Sequence, residues 1–172
     1  MGSNNIVLFE PEIPQNTGNI MRTCVATNTI LHLIEPLGFS LSEKQIKRSG
    51  ANYIKDVKLV TYKNFDEFLE KNKDEFYYLT RYGMHSLYDV ETKDPEKDYY
   101  FILGKESTGI PKEILANNLE RTIRLPMTDK VRSLNLSNVA AIIVYEALRQ
   151  QGFNDLSFYE PEIYKGKNYL LE

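Results

Sequence analysis

The sequence predicts an α/β fold: a parallel sheet of about six strands with helices on both faces. Three observations predict it. Short apolar runs alternate with helical stretches from residue 5 to residue 152. The runs are apolar almost without interruption, as in strands covered on both faces. The last helical stretch, from Val139 to Leu148, is apolar nearly all round, so it is a buried helix rather than a solvated one.

The elements follow in order. Residues 5–9 read as a buried strand. Residues 17–26 read as a helix, capped by Asn16 or Thr17. Residues 30–34 are a second strand, and 42–49 a second helix ended by Gly50. Residues 57–61 are a third strand. Residues 65–71 are an amphipathic helix, with Phe65, Phe68 and Leu69 at helical spacing. Residues 76–80 and 99–103 are strands four and five. Residues 111–116 are a short helix with Pro111 in its first position. Residues 122–125 are strand six. The buried helix from about 134 to 151 follows, and Gly152 ends it. One domain over 1–153 accounts for all of this. Residues 154–172 form a polar and aromatic tail to which no role is assigned.

Composition narrows the function classes. Apolar residues make up 42% and charged residues 26% of the 172, as in a soluble globular protein. No run approaches the roughly 20 apolar residues that span a bilayer, and no signal peptide is predicted. The single cysteine, Cys24, excludes an internal disulfide framework and fits a reducing cytoplasm. With His32 and His85 far apart, no Cys/His metal site is expected. A net charge of −3 argues against bulk nucleic-acid binding but not against a local basic patch. Lys44, Lys47, Arg48 and Lys55 cluster in sequence, as do Arg121, Arg124, Lys130 and Arg132; each cluster reads equally as solvated surface charge.

In open α/β sheets ligands bind beyond the carboxyl ends of the strands. That puts residues 10–16, 80–83, 104–111 and 126–135 on one rim. Three of these segments carry the chemistry-bearing residues. Gly104-Lys-Glu106-Ser-Thr-Gly109-Ile-Pro111 follows a strand and precedes a helix. It lacks the Lys-Ser/Thr of a phosphate loop, the glycine pattern of a dinucleotide fold and the serine of a nucleophile elbow. It reads either as a tight turn or as a ligand loop presenting Glu106. Asn16-Thr-Gly18-Asn19-Ile-Met-Arg22 puts an amide and a guanidinium six residues apart, which read alone as a helix cap and a surface residue. The stretch Arg132-Ser133-Leu-Asn135-Leu-Ser-Asn138 leads into the buried helix. Its side chains, with the helix's free N–H groups, are expected to point inward, where a ligand would satisfy them.

Together, Asn16-x-Gly-Asn-x-x-Arg22, Gly104-x-Glu106-x-x-Gly109-x-Pro111 and Arg132-Ser-Leu-Asn-Leu-Ser-Asn138 resemble the three signature motifs of the SPOUT RNA methyltransferases. The resemblance runs from about residue 5 to residue 152. Phe9-Glu-Pro-Glu-Ile-Pro14, Ile34-Glu-Pro-Leu-Gly-Phe39 and Val144-Tyr-Glu-Ala-Leu148 narrow it to the minimal bacterial group that methylates the ribose of the tRNA wobble nucleotide. The resemblance implies transfer of a methyl group from S-adenosylmethionine to the 2′-hydroxyl of a cytidine or modified uridine. It implies a C-terminal deep trefoil knot, with Leu79, Gly104, Leu125 and Ser133 on the cofactor. It places Arg22 at the catalytic centre, with Glu106, Asn16, Asn135 and Tyr145 around it. Tyr145 reads equally as a core aromatic. The guanidinium stays protonated, so Arg22 is expected to orient the nucleotide and stabilise the oxygen losing its proton. Glu106 is expected to orient Arg22 or take the proton. The family works as a homodimer through its first and last helices, so tRNA would lie on basic patches of two chains, with Lys44, Lys47 and Arg48 as contacts. No membrane partner and no metal are implied. Related chemistry on ribosomal RNA or another tRNA position, a non-catalytic RNA- or cofactor-binding module, and a generic nucleotide-binding fold are the rival readings.

Overall fold

The computed structural model describes residues 2–42 and 55–171. Among the described residues seven strands form one sheet: β1 (Asn4–Phe9), β2 (Ile30–Ile34), β3 (Leu59–Tyr62), β4 (Glu75–Leu79), β5 (His85–Ser86), β6 (Tyr99–Leu103) and β7 (Thr122–Arg124). All pairings are parallel, in the order β3-β2-β1-β6-β4-β7-β5. The helices are α1 (Pro14–Ala26), α2 (Phe65–Lys71), α3 (Lys112–Ala116) and α4 (Leu136–Gln150).

The apolar runs are continuous because both faces of the sheet are covered. In β1, Ile6 and Leu8 point to one face and Val7 and Phe9 to the other, the two-residue period of a strand. On the first face Ile6, Leu8, Leu31, Leu33, Phe101 and Leu103 pack under Ile20, Met21 and Cys24 of α1 and Val139, Ala140, Ile143 and Val144 of α4. On the second, Val7, Phe9, Ile34, Tyr78, Tyr100 and Ile102 pack under Phe68 of α2. Each fully buried large side chain contributes about 1.5–3 kcal/mol.

The expected parallel α/β sheet is found, with one strand more than counted. The seventh strand, β5, has two residues, too few for a periodic signal. Helix α1 starts at Pro14, three residues earlier than expected, so Asn16 lies within the helix rather than capping it. Proline suits the first helical position, since its missing N–H would lack an intrahelical partner anyway. The cap residue Ile13 has no side-chain acceptor of its own, and the acceptor comes from elsewhere in the chain. The helix expected over 42–49 lies outside the described residues, apart from Ser42.

Helix α4 ends as expected at Gly152 (φ +76°). The Phe153 N–H donates to the Leu148 carbonyl at 2.9 Å, and Gly152 N–H to the Arg149 carbonyl at 3.4 Å. This closing pattern uses the left-handed conformation that glycine adopts without strain. Most of α4 is buried, but Asn138, Tyr145 and Arg149 form an exposed stripe beside half-buried Ile142. Beyond Phe153, residues 154–171 run through turns, with Phe158, Ile163, Tyr164, Leu170 and Leu171 exposed.

The strand order positions the site. β6 lies between β1 and β4, with Leu8 beside Leu103 and Leu103 beside Leu79. Leu79 in turn pairs with Ile123 of β7. The carboxyl ends of β1, β6, β4 and β7 therefore meet at one rim, where connections leave β1 and β4 in opposite directions across the sheet. That is where a crevice opens in folds of this kind.

Candidate functional site

The loop after β6 is built around two glycines. A Cβ on Gly104 would lie 2.2 Å from the Gly109 carbonyl carbon, so the two arms of the loop close only with glycine there. Gly109 has φ +74°, and its N–H donates to the Lys105 carbonyl at 2.8 Å. The closed loop turns Glu106 towards the start of α1. One carboxylate oxygen accepts from Glu12 N–H at 2.9 Å. The other accepts from Ile13 N–H and from the Asn16 amide, both at 3.2 Å. Glu106 thus caps α1, where a negative charge is also favoured by the helix dipole. Glu12 returns the contact: it accepts from Ser107 N–H and hydroxyl at 2.9 Å each, and the Ser107 N–H chiefly holds its carboxyl below the usual range. Lys105 pairs with Glu10 beside it.

Asn16 is buried and continues the chain of bonds. Its carbonyl oxygen accepts from the Asn135 amide at 3.0 Å. Asn135 in turn caps α4, accepting from Ser137 N–H at 2.9 Å, Ser137 hydroxyl at 2.6 Å and Asn138 N–H at 3.4 Å. One line of hydrogen bonds, Glu106–Asn16–Asn135, ties together three segments up to 119 residues apart in sequence.

This line forms a wall of a cavity of about 530 Å³ at the rim. Leu79, Gly104, Leu125 and Ser133, the four residues expected on a cofactor, all line it, as do Asn16, Glu106 and Asn135. Arg22 and Tyr145 do not. Arg22 is exposed on α1 six residues beyond Asn16. That separation is about 9 Å along the helix and roughly 120° around it, so the two side chains leave α1 in different directions. Tyr145 is 48% exposed and sits ten residues past Asn135, roughly 15 Å along α4. Lys44, Lys47 and Arg48 lie outside the described residues.

The polar segment before α4 does not enter the interior as expected. Arg132, Ser133, Leu134 and Asn135 are all exposed at the cavity mouth. Water or a ligand can reach their polar atoms there, so burial is not needed to explain their composition. Sequence reasoning placed the 80–83 segment on the rim without giving its side chains a role. The structure puts Thr80, Arg81 and Tyr82 on the cavity, joined by Arg124 and Met127. The apolar lining comes from Ile110, Leu115 and Val139, together with Leu79 and Leu125.

Among the described residues no three His, Cys, Asp or Glu side chains are placed to hold a metal ion. No helix among them is long and apolar enough to cross a membrane. Cys24 is buried under the sheet, where burial pushes its thiol up to about 12, so it offers no thiolate near neutral pH.

Residues 3–145 match the model of the SpoU rRNA Methylase family. A Listeria monocytogenes protein described as a candidate tRNA (cytidine(34)-2'-O)-methyltransferase is 58% identical over 154 residues, 89% of this chain and 91% of its own length. The Escherichia coli tRNA (cytidine(34)-2'-O)-methyltransferase is 42% identical over 151 residues, 87% of this chain and 94% of its own. A solved structure described as giving insight into 2-OH methylation of C/U34 on tRNA superposes with a TM-score of 0.80 at 39% identity, covering 88% of this chain and 97% of that one. A Streptomyces viridochromogenes SpoU methyltransferase in complex with AdoMet shares the fold, with a TM-score of 0.73 at 21% identity over 86% of this chain and 57% of that one.

Proposed function

The chain belongs to the SpoU rRNA methylase family, and we infer from that membership how the site works. It is an S-adenosylmethionine-dependent RNA 2′-O-methyltransferase acting on the wobble nucleotide of tRNA, a cytidine or modified uridine. The observation that carries this reading is the line Glu106–Asn16–Asn135. It joins the three signature segments on the wall of one cavity.

The cavity fits the cofactor. Its volume lies within the roughly 300–1,000 Å³ usual for small-molecule sites, and it combines apolar lining with exposed loop backbone. We assign Leu79, Gly104, Leu125 and Ser133 to hold S-adenosylmethionine, which when bound supplies an already activated methyl group. What remains for the protein is chiefly positioning. Glu106 already accepts three N–H groups, so we give it the role of fixing α1 and Asn16. Asn135 sets the start of α4 and, through Asn16, its distance from the Glu106 loop.

We place Arg22 at the reaction centre through a second subunit, in a homodimer built on α1 and α4. The exposed stripe Asn138–Ile142–Tyr145–Arg149 and the exposure of Arg22 support this. There the guanidinium would orient the nucleotide and stabilise the 2′-oxygen as its proton leaves. Lys44, Lys47 and Arg48 remain proposed tRNA contacts. We take 1–153 as the catalytic unit, with the deep knot of the family, and the cytoplasm as its location.

The test is to incubate the protein with labelled S-adenosylmethionine and total tRNA from a strain lacking the modification, and then to map the label. The expected product is a 2′-O-methylated nucleotide 34. Absence of transfer would overturn the enzyme assignment, and label on a base would overturn the ribose chemistry.

A further inference from the structure

The cavity mouth is more cationic than the chain around it. Net charge is −3, yet Arg81, Lys105, Arg124 and Arg132 line the cavity and Glu106 is the one carboxylate among its described lining residues. Lys105 is neutralised by Glu10. Among the described residues, Arg81, Arg124 and Arg132 have no carboxylate within ion-pair distance.

Arg81 and Tyr82 lie in a loop hydrogen-bonded to β7, and Arg124 stands beside it at the end of that strand. Thr80 N–H donates to the Ile123 carbonyl at 3.0 Å, Gly83 N–H to the Thr80 carbonyl at 3.2 Å, and Met84 N–H to the Thr122 hydroxyl at 3.0 Å. A Cβ on Gly83 would lie 2.3 Å from the Ile123 carbonyl carbon, so the loop lies directly on β7. Arg124 closes it from the other side, donating to the Arg81 carbonyl at 3.1 Å. The Arg81 guanidinium stands 4.7 Å from the Tyr82 ring centre and donates to its hydroxyl. Tyr82 nevertheless remains 67% exposed. A large aromatic held open to solvent on a fixed loop, flanked by unneutralised guanidiniums, is not explained by core packing.

We propose that Arg81, Tyr82 and Arg124 form a nucleotide-docking platform: Tyr82 stacks on an unpaired base beside the nucleotide being methylated, and the two guanidiniums take its flanking phosphates. The proposal rests on the RNA methyltransferase reading and extends it to specific side chains. Unpaired bases in an RNA loop offer their faces to aromatic side chains, and arginine suits both phosphate and ring. The loop is already ordered, so docking costs little conformational entropy.

The test uses the full chain and an anticodon stem-loop RNA. Binding is followed by fluorescence anisotropy over a salt series, and S-adenosylmethionine binding by calorimetry. Tyr82→Ala is expected to weaken RNA binding roughly tenfold to a hundredfold, and Tyr82→Phe to stay within about twofold of wild type, because the ring face is kept. Arg81→Ala is expected to lower the slope of log affinity against log salt by about one. Both side chains border the cofactor cavity, so cofactor affinity is expected to fall by a smaller factor than RNA affinity. Unchanged RNA affinity in both alanine variants overturns the platform, and so does a loss confined to cofactor binding. If wild type binds the stem-loop but transfers no methyl to tRNA, the enzyme reading fails, while the losses in the variants still support the platform. If wild type transfers methyl and the variants bind RNA normally, only the platform fails.

Discussion

Two polar networks cross this molecule, one sealed and one open. The sealed network lies under α2. His32 Nδ1 accepts from the Tyr62 hydroxyl at 2.8 Å, and Nε2 donates to the Asn5 amide oxygen at 2.9 Å. Asn72 links on, donating to Tyr62 at 3.1 Å and accepting from Tyr100 at 3.3 Å. His32 stacks on Tyr62 and meets Phe68 and Tyr100 edge-on. The open network, Glu106–Asn16–Asn135, lies on the cavity wall. Both join segments distant in sequence. Only the open one lines the cavity at the rim. Buried polar groups therefore do not mark function by themselves. In the sealed network every partner is internal, so its effect is on stability; in the open one, α1 and α4 are aimed at a space between them.

The largest effect expected from this contrast is a pH effect on the sealed side. Burial pushes His32 down to about 4 from an ordinary 6.5, with Asp98 opposing weakly. Above pH 6.5 neither folded nor unfolded chain protonates it, and the fold keeps its full stability. As pH falls from 6.5 to 4, the unfolded chain takes a proton that the fold refuses. Roughly 3 kcal/mol is lost across that window and no more below it. Denaturant titrations from pH 7 to pH 4 should show the loss, and His32→Gln should flatten it. An unchanged slope in the variant would break the assignment.

Glu106→Ala comes next. It leaves three N–H groups at α1 without their acceptor, a cost of about 2 kcal/mol with partial replacement by water. Methyl transfer should fall at least tenfold under conditions where circular dichroism shows the variant folded. Normal turnover would mean that the open network is only structural, like the sealed one. Asn135→Ala is the mildest. Loss of the α4 cap costs about 1 kcal/mol, read from thermal unfolding. A rise in KM for the cofactor larger than that in KM for tRNA would tie the cap to the cofactor end of the cavity. Equal changes would assign it to folding alone.

Much of the fold was legible because its signals are local. β2, β6 and α2 fall where their apolar runs and spacing put them, and Gly152 ends α4 as a glycine just past a helix should. The last helix was expected from about 134 but starts at Leu136, with Asn135 as its cap, although a cap bonds only two or three residues ahead. The start of α1 was not legible, because its acceptor, Glu106, comes from 93 residues away. β5 was too short to show a period.

The site divides the same way. The motif residues Asn16, Glu106 and Asn135 were named through the resemblance of their segments to a known family, and the fold brings them together. Their bonding order, the position of Arg22 outside the cavity of its own chain and the open ring of Tyr82 could not be read. By itself the sequence determined the α/β class, most element positions and the family, because period, capping and motif spacing act over a few residues. Only the tertiary structure decided that β6 inserts between β1 and β4, that Glu106 caps α1 and that Thr80, Arg81 and Tyr82 are the residues of the 80–83 loop on the cavity. Each depends on groups tens of residues apart being brought within about 3 Å, a hydrogen-bond length that no local pattern encodes.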